Sequence, residues 1–213
     1  MVSLAFMPRQ NRVDPYGRLH ATSARGAWMG NRGVLHNSAG EIVAGWRVNR
    51  WITCSLSFKG IRRTLFSPNR YTELFFLDEA TSLAAGHRPC AECRRDRYKE
   101  FCAAWSVGNG SLTRQRPRAD AIDSKLQAER LGRDGFKKTY LAPLSSLPAG
   151  TFIEHKSRAY LLWGGRLWIW TFFGYGPPAK VSPKTNVKVL TPRSIVSVLQ
   201  AGFVPQVHES ASG

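Results

Sequence analysis

The sequence predicts an α+β fold. A zinc-knuckle module of short β strands and helices comes first, followed by a small antiparallel β meander with flanking helices. Three observations carry this. Cys90-x-x-Cys93 stands on a turn directly before an amphipathic helical segment. Residues 150–173 form short β-patterned runs around Gly164-Gly165, a hairpin-turn pair. Aromatic residues make up 11% of the 213 residues, including seven Trp, which excludes a wholly disordered chain. The length suits one large domain or two small ones.

The elements follow in order. Residues 1–30 show little periodicity, contain the turn signature Asp14-Pro15-Tyr16-Gly17, and read as a basic arm through Arg9, Arg12, Arg18 and Arg25. From Gly33 to Phe58 the pattern is that of strands: Val34 to His36, a turn at residues 37–40, Glu41 to Trp46, then Trp51 to Phe58 with Cys54 near its middle. Tyr71 to Leu77 reads as extended chain. Asp78 offers a side-chain cap for a short helix from Glu79 to Ala85, and Gly86 supplies its left-handed stop. Arg94 to Trp105 is a helix, because Tyr98, Phe101, Cys102 and Trp105 recur at helical spacing.

Residues 106–118 are rich in Gly, Ser and Arg and mark the best internal boundary. Ala119 to Leu131 is a second helix with Ile122 and Leu126 inward and Gly132 as its stop. The meander runs through Thr151–His155, Ala159–Trp163 and Arg166–Phe173, and Asn186–Leu190 adds a strand. A final helix starts at Thr191-Pro192 and stops at Gly202. The expected units are thus a basic arm (1–30), a zinc-binding module (31–106), a basic flexible loop (107–118) and an α+β C-terminal region (119–213).

Charge narrows the function. Lys and Arg number 31 against 14 Asp and Glu, a formal net charge of +17. A field of that size on a folded protein attracts polyanions, and nucleic acid, DNA first, is the expected partner. No apolar run approaches the roughly 20 residues that cross a bilayer, so no membrane partner is expected. The apolar stretch near Met1 is short for a secretory signal, which makes the expected compartment cytoplasmic. There, four cysteines point to metal or a buried thiol before disulfides.

Cys90 and Cys93, two residues apart before a helix, suit a tetrahedral Zn²⁺, and the free N–H groups of the first helical turn favour their thiolates. Cys54 is the natural third ligand. Cys102 lies about 13 Å further along the helix from Cys93, on its apolar face, and reads as a core thiol. For the fourth ligand His36, near Cys54, is the first choice and His87 the alternative. His20, His155 and His208 read as surface or core residues. A closed four-ligand site makes the metal structural.

The stretch Phe75-Phe76-Leu77-Asp78-Glu79-Ala80 and then Leu83 to Asp96, with Gly86-His87-Arg88-Pro89-Cys90-Ala91-Glu92-Cys93-Arg94 at its centre, resembles the second half of the Ada-type zinc-binding domain of adaptive-response DNA repair proteins. The resemblance spans about residues 51–105. It implies zinc held by cysteines and, in that family, one cysteine that accepts a methyl group from DNA methylphosphotriesters. The family's first two cysteines form a Cys-x-x-x-Cys pair. Here Phe58 stands four residues after Cys54 and Arg50 four before it. If Cys54 matches the first family cysteine, it is the candidate acceptor. If it matches the second, only the metal scaffold remains.

Candidate nucleic-acid contacts cluster in sequence around this module. They are Arg47, Arg50, Lys59, Arg62, Arg63 and Arg70 before the knuckle, Arg94, Arg95, Arg97 and Lys99 on the helix after it, and Arg114, Arg116 and Arg118 in the basic loop. Trp163, Trp168, Trp170, Phe172, Phe173 and Tyr175 suit either base stacking or a core. The enzyme alternative is a metal-dependent nuclease using Asp120 and Asp123, with Glu129 on the same helix and His155 beyond it. First-turn carboxylates are also ordinary helix chemistry. The reading is a binding protein more than an enzyme.

Overall fold

The structure, a computed structural model, describes residues 8–60, 64–110, 117–132 and 134–212. It is an α+β fold with four helices and two six-stranded sheets among these residues. The first sheet contains β1 (Gln10–Val13), β2 (Leu19–Ala21), β3 (Trp28–Asn31), β4 (Ile52–Cys54), β5 (Leu74–Phe76) and β6 (Arg88–Pro89), in the order β2-β1-β5-β3-β4-β6. It is mixed: β1 runs parallel to β5 and β4 parallel to β6, and the other pairs are antiparallel. Residues 8–30 therefore build three strands of this sheet, where an arm is expected from the sequence. Strands of three or four residues are too short to show alternation.

The opposite difference occurs between Gly33 and Arg50. Only an isolated bridge, His36 to Ile42, forms there. Val34, Val43, Trp46 and Val48 are exposed, so their apolar side chains have no second layer to pack on.

The second sheet is antiparallel throughout. It contains β7 (Tyr140–Pro143), β8 (Phe152–His155), β9 (Arg158–Trp163), β10 (Arg166–Thr171), β11 (Gly174–Ala179) and β12 (Asn186–Val189), in the order β11-β10-β9-β8-β12-β7. Gly164 and Gly165 both take positive φ, +56° and +71°, as the tight turn between β9 and β10 requires. Edge strands β7 and β11 carry proline, which an edge tolerates and which hides a strand from pattern reading. Trp168 and Trp170 share one face and turn inward. Their indole N–H groups donate to Trp163 O and Thr81 Oγ1 at 3.1 Å, which assigns both to the core.

Helix α1 (Glu79–Ala84) has all six residues buried. Leu83 packs into a cluster with Tyr98, Phe101, Cys102 and Trp105 of α2 (Arg95–Gly108), Ile122 and Leu126 of α3 (Ala119–Arg130), and Ile195, Val198 and Leu199 of α4 (Arg193–Gln200). Ala80 and Ala84 pack against Phe152, Leu161 and Trp168 of the second sheet. The helical stripe read from the sequence is thus the seam between the two halves. At Gly108 a methyl group would come within 2.2 Å of Ser197 O, so α2 and α4 cross at glycine contact.

Polar side chains fix this packing. Asp78 caps α1: Oδ1 accepts from the Thr81 N–H at 2.8 Å and its hydroxyl at 2.7 Å, while Oδ2 accepts from the Tyr175 hydroxyl at 2.7 Å and the His208 N–H at 3.0 Å. Arg88 on β6 donates to both oxygens of Asp123 on α3, each at 2.8 Å, and both residues are buried. His87 is fully buried between Trp51 and Phe76, with ring centroids at 5.1 and 4.7 Å, and neither ring nitrogen has a hydrogen-bond partner. Burial, and then the charges of Arg32, Arg130 and Lys137, hold its pKa well below the ordinary histidine value.

Two predictions follow from these buried groups. Asp123→Ala strands Arg88 without its partner and should cost about 3–5 kcal/mol in urea denaturation, whereas Asp120→Ala should leave the midpoint unchanged. For His87 the unfolded chain gains a proton near pH 6.5 that the folded chain refuses. Stability should therefore fall as pH drops through that value, with a histidine contribution of up to about 1.4 kcal/mol per pH unit. Denaturation at pH 7 and pH 5.5 should show a shallower fall for His87→Leu than for the unaltered protein.

Candidate metal centre

Cys54 ends β4, and β6 runs parallel beside it. Thr53 pairs with Pro89, and the Cys90 N–H donates to Thr53 O at 2.9 Å. This pairing carries residue 90 to the side of residue 54. The chain then turns, with the Arg94 N–H donating to Cys90 O at 3.2 Å, and Cys93 folds back toward the pair. Ser55 Oγ donates to Cys93 O at 3.3 Å and closes the knuckle. The sulfurs of Cys54, Cys90 and Cys93 all lie within 4.8 Å of one another, close enough to hold one metal ion. Three thiolates on one tetrahedral zinc stand about 3.8 Å apart, given Zn–S bonds of about 2.3 Å.

The surroundings are apolar on one side and open on the other. Met29, Ile52, Tyr71 and Phe75 pack against the cluster. Cys54 and Cys90 are buried and Cys93 is half-buried, so Cys93, and not the candidate acceptor Cys54, is the most exposed of the three residues. Hydrogen bonds from the Cys54 and Cys93 thiols hold the Cys90 pKa far below the ordinary thiol value, assisted by the Glu92 N–H at 3.5 Å from its sulfur. The same hydrogen bonds to Cys90 and Cys93, and then burial, push Cys54 up. Thiolate sulfur is the donor that a soft divalent cation selects. Cys102 is buried in the helical cluster, as its spacing implies.

Neither candidate fourth ligand joins the three cysteines. His36 is committed elsewhere: Nδ1 meets Thr72 Oγ1 at 2.7 Å, Nε2 lies 3.3 Å from Ser67 O, and the ring stacks on Phe66. The sequence places His36 near Cys54 on an expected strand ladder that does not form. His87 is three residues from Cys90 but points into the aromatic core. All five histidines and all four cysteines lie among the described residues, and there no fourth cysteine, histidine or carboxylate completes the group.

The expected nucleic-acid residues divide. Arg47, Arg50, Arg70 and Arg95 are exposed, and so is Lys59, which pairs with Glu92 at 4.0 Å. Lys99 and Arg118 are also exposed but sit in ion pairs with Asp96 and Asp120, at 2.7 and 3.0 Å. Arg94 and Arg97 are corrections. Instead of facing outward they turn into the fold and clasp the fully buried Glu79, at 2.8 and 2.7 Å. Helical periodicity places them on the polar face, but a buried carboxylate on α1, 15 and 18 residues earlier in the chain, claims both. Arg62, Arg63, Arg114 and Arg116 lie outside the described residues.

The nuclease constellation does not assemble. Asp123 gives both oxygens to Arg88, Asp120 pairs with Arg118 at the surface, and Glu129 accepts from the Ser194 N–H and hydroxyl at 2.8 and 2.6 Å. Each carboxylate has a structural partner of its own. No helix among the described residues is long and apolar enough to cross a membrane. No protein-family model, curated protein or solved structure matches this chain.

Proposed function

We propose that this chain is a zinc-binding protein that binds nucleic acid, DNA first, with the metal in a structural role as a tether between two segments that are distant in sequence. The observation that carries it is the convergence of Cys54, Cys90 and Cys93, from two segments far apart in sequence, on one point. Three thiolates suit zinc better than the hard cations that prefer oxygen. The likeness of the Cys90–Cys93 knuckle to the Ada-type domain supports the same ligands. The fourth position falls to a ligand from outside the protein's cysteines and histidines. When bound, zinc would act as a clamp between β4 and the start of α2. The chain's own residues shape the site: Met29, Tyr71 and Phe75 shield it, and Ser55 holds the Cys93 carbonyl.

The nucleic-acid part rests on charge. With a formal net charge of +17, and with Arg47, Arg50, Lys59, Arg70 and Arg95 exposed on the segments that flank the cysteines, the chain offers phosphates several contacts. Such binding depends on backbone charge and carries little sequence preference.

Metal analysis of the purified protein should find one zinc per chain. Cys54→Ser and Cys90→Ser should lose it, and Cys102→Ser and His36→Gln should keep it. Binding to a short DNA duplex should weaken linearly in log affinity against log salt, and Arg47→Gln with Arg50→Gln should flatten that slope by about 1–2. Affinity unchanged from low to high salt would remove the nucleic-acid reading and leave the metal reading standing.

A further inference from the structure

A second site, sharing no residue with the cysteine cluster, lies where the β1–β2 hairpin, the loop before Trp51 and the segment after α3 meet. They enclose a cavity of about 670 Å³. Its lining includes Arg32, Lys137 and Trp51, with Trp46, Val43 and Phe136 bringing exposed apolar surface to the same cavity.

The charge balance around it is unusual. Arg32 is buried: it donates to Gly45 O at 3.2 Å and Gly17 O at 2.9 Å, and its Nε has no partner. Its guanidinium lies 4.2 Å from the Trp51 ring centroid. Arg130, also buried, lies 3.9 Å from the same centroid and donates to Gly86 O at 2.9 Å. Half-buried Lys137 donates to Ala84 O. Among the described residues none of these three cations has a carboxylate within ion-pairing distance.

The acids nearby are already engaged. Asp14 accepts from the Arg18 N–H and pairs with His20, each at 2.9 Å. Asp123 is held by Arg88. Glu154, on the cavity lining, pairs with Lys188 at 2.6 Å, and Arg18 adds a further cation to that lining. Burial, and then repulsion from Arg32, push Arg130 down to about 9 against the opposing field of Asp123, and burial pushes Lys137 down to about 7 against the opposing field of Asp14, which also acts on Arg32. Buried charge with no carboxylate in direct contact is costly, and an anion brought among these groups relieves the cost.

We propose that this cavity binds a small organic phosphate, a phosphate monoester on a flat ring, with the phosphate against Arg32 and Lys137 and the ring along Trp46 and Phe136. The cations supply charge-assisted hydrogen bonds, and the aromatic side chains supply a face for stacking. The inference goes beyond the metal and DNA reading and depends on neither.

Calorimetric titration of the full chain with three probes tests it: adenosine 5′-monophosphate, adenosine and inorganic phosphate. The monophosphate should bind saturably at one site, inorganic phosphate more weakly, and adenosine not at all. Lys137→Met should weaken the monophosphate about tenfold. Trp46→Ala, at an exposed position, should weaken the monophosphate while leaving inorganic phosphate unaffected. Zinc content and duplex binding, measured on the same variants, should be unchanged, which separates this site from the other reading. Equal binding of adenosine, undiminished binding by Lys137→Met, or no saturable binding at millimolar monophosphate would each overturn the proposal.

Discussion

Everything else in this fold hangs on a carboxylate with no exposed surface. Glu79 opens α1 and is held by Arg94 and Arg97, while its Oε2 also accepts from the Gln206 N–H at 2.9 Å. Arg94 follows Cys93 directly and precedes α2. The ion pair therefore fixes where the knuckle ends and where α2 begins. It also ties the C-terminal segment across both. Removing both arginines would leave a buried negative charge without a counter-ion, the costly half of a buried ion pair. Asp78 next to it does the same for the second sheet, through Tyr175 and His208. Two consecutive acids thus join the layers of the fold around one short helix.

The large positive charge takes on a different meaning in this light. Arg32, Arg88, Arg94 and Arg130 are buried and serve as internal struts, stacking on Trp51, Tyr98 and Trp28 and donating to carbonyls or carboxylates. Planar guanidinium suits that work because it combines a stacking face with a fork of donors. The positive field at the surface comes from the remaining exposed cations.

The sequence carried the parts of the fold governed by strong local rules. The helix of Tyr98, Phe101, Cys102 and Trp105, the Asp78 cap and the paired glycines of the meander stand where their patterns place them. Three cysteines meet, because Cys-x-x-Cys geometry is local and Cys54 had few rivals. What stayed hidden depends on long-range pairing. Nothing near Gln10 signals that it will join a sheet with Leu74–Phe76, and Arg94 and Arg97 carry no local mark that Glu79 lies below them. The cavity at Trp51 was invisible for the same reason, since the cations on it and behind it come from positions 32, 137 and 130.

The parallel pairing of β4 with β6 has a further consequence. It brings together residues thirty-six positions apart, Cys54 and Cys90, through only two register pairs. An ion gripped there closes that long loop, and closing it in an unfolded chain costs about 3 kcal/mol of entropy. With an ion bound there, a chelator would act on this protein as a denaturant does, by releasing a tether between distant segments, and the melting temperature would become a function of free metal concentration as much as of sequence.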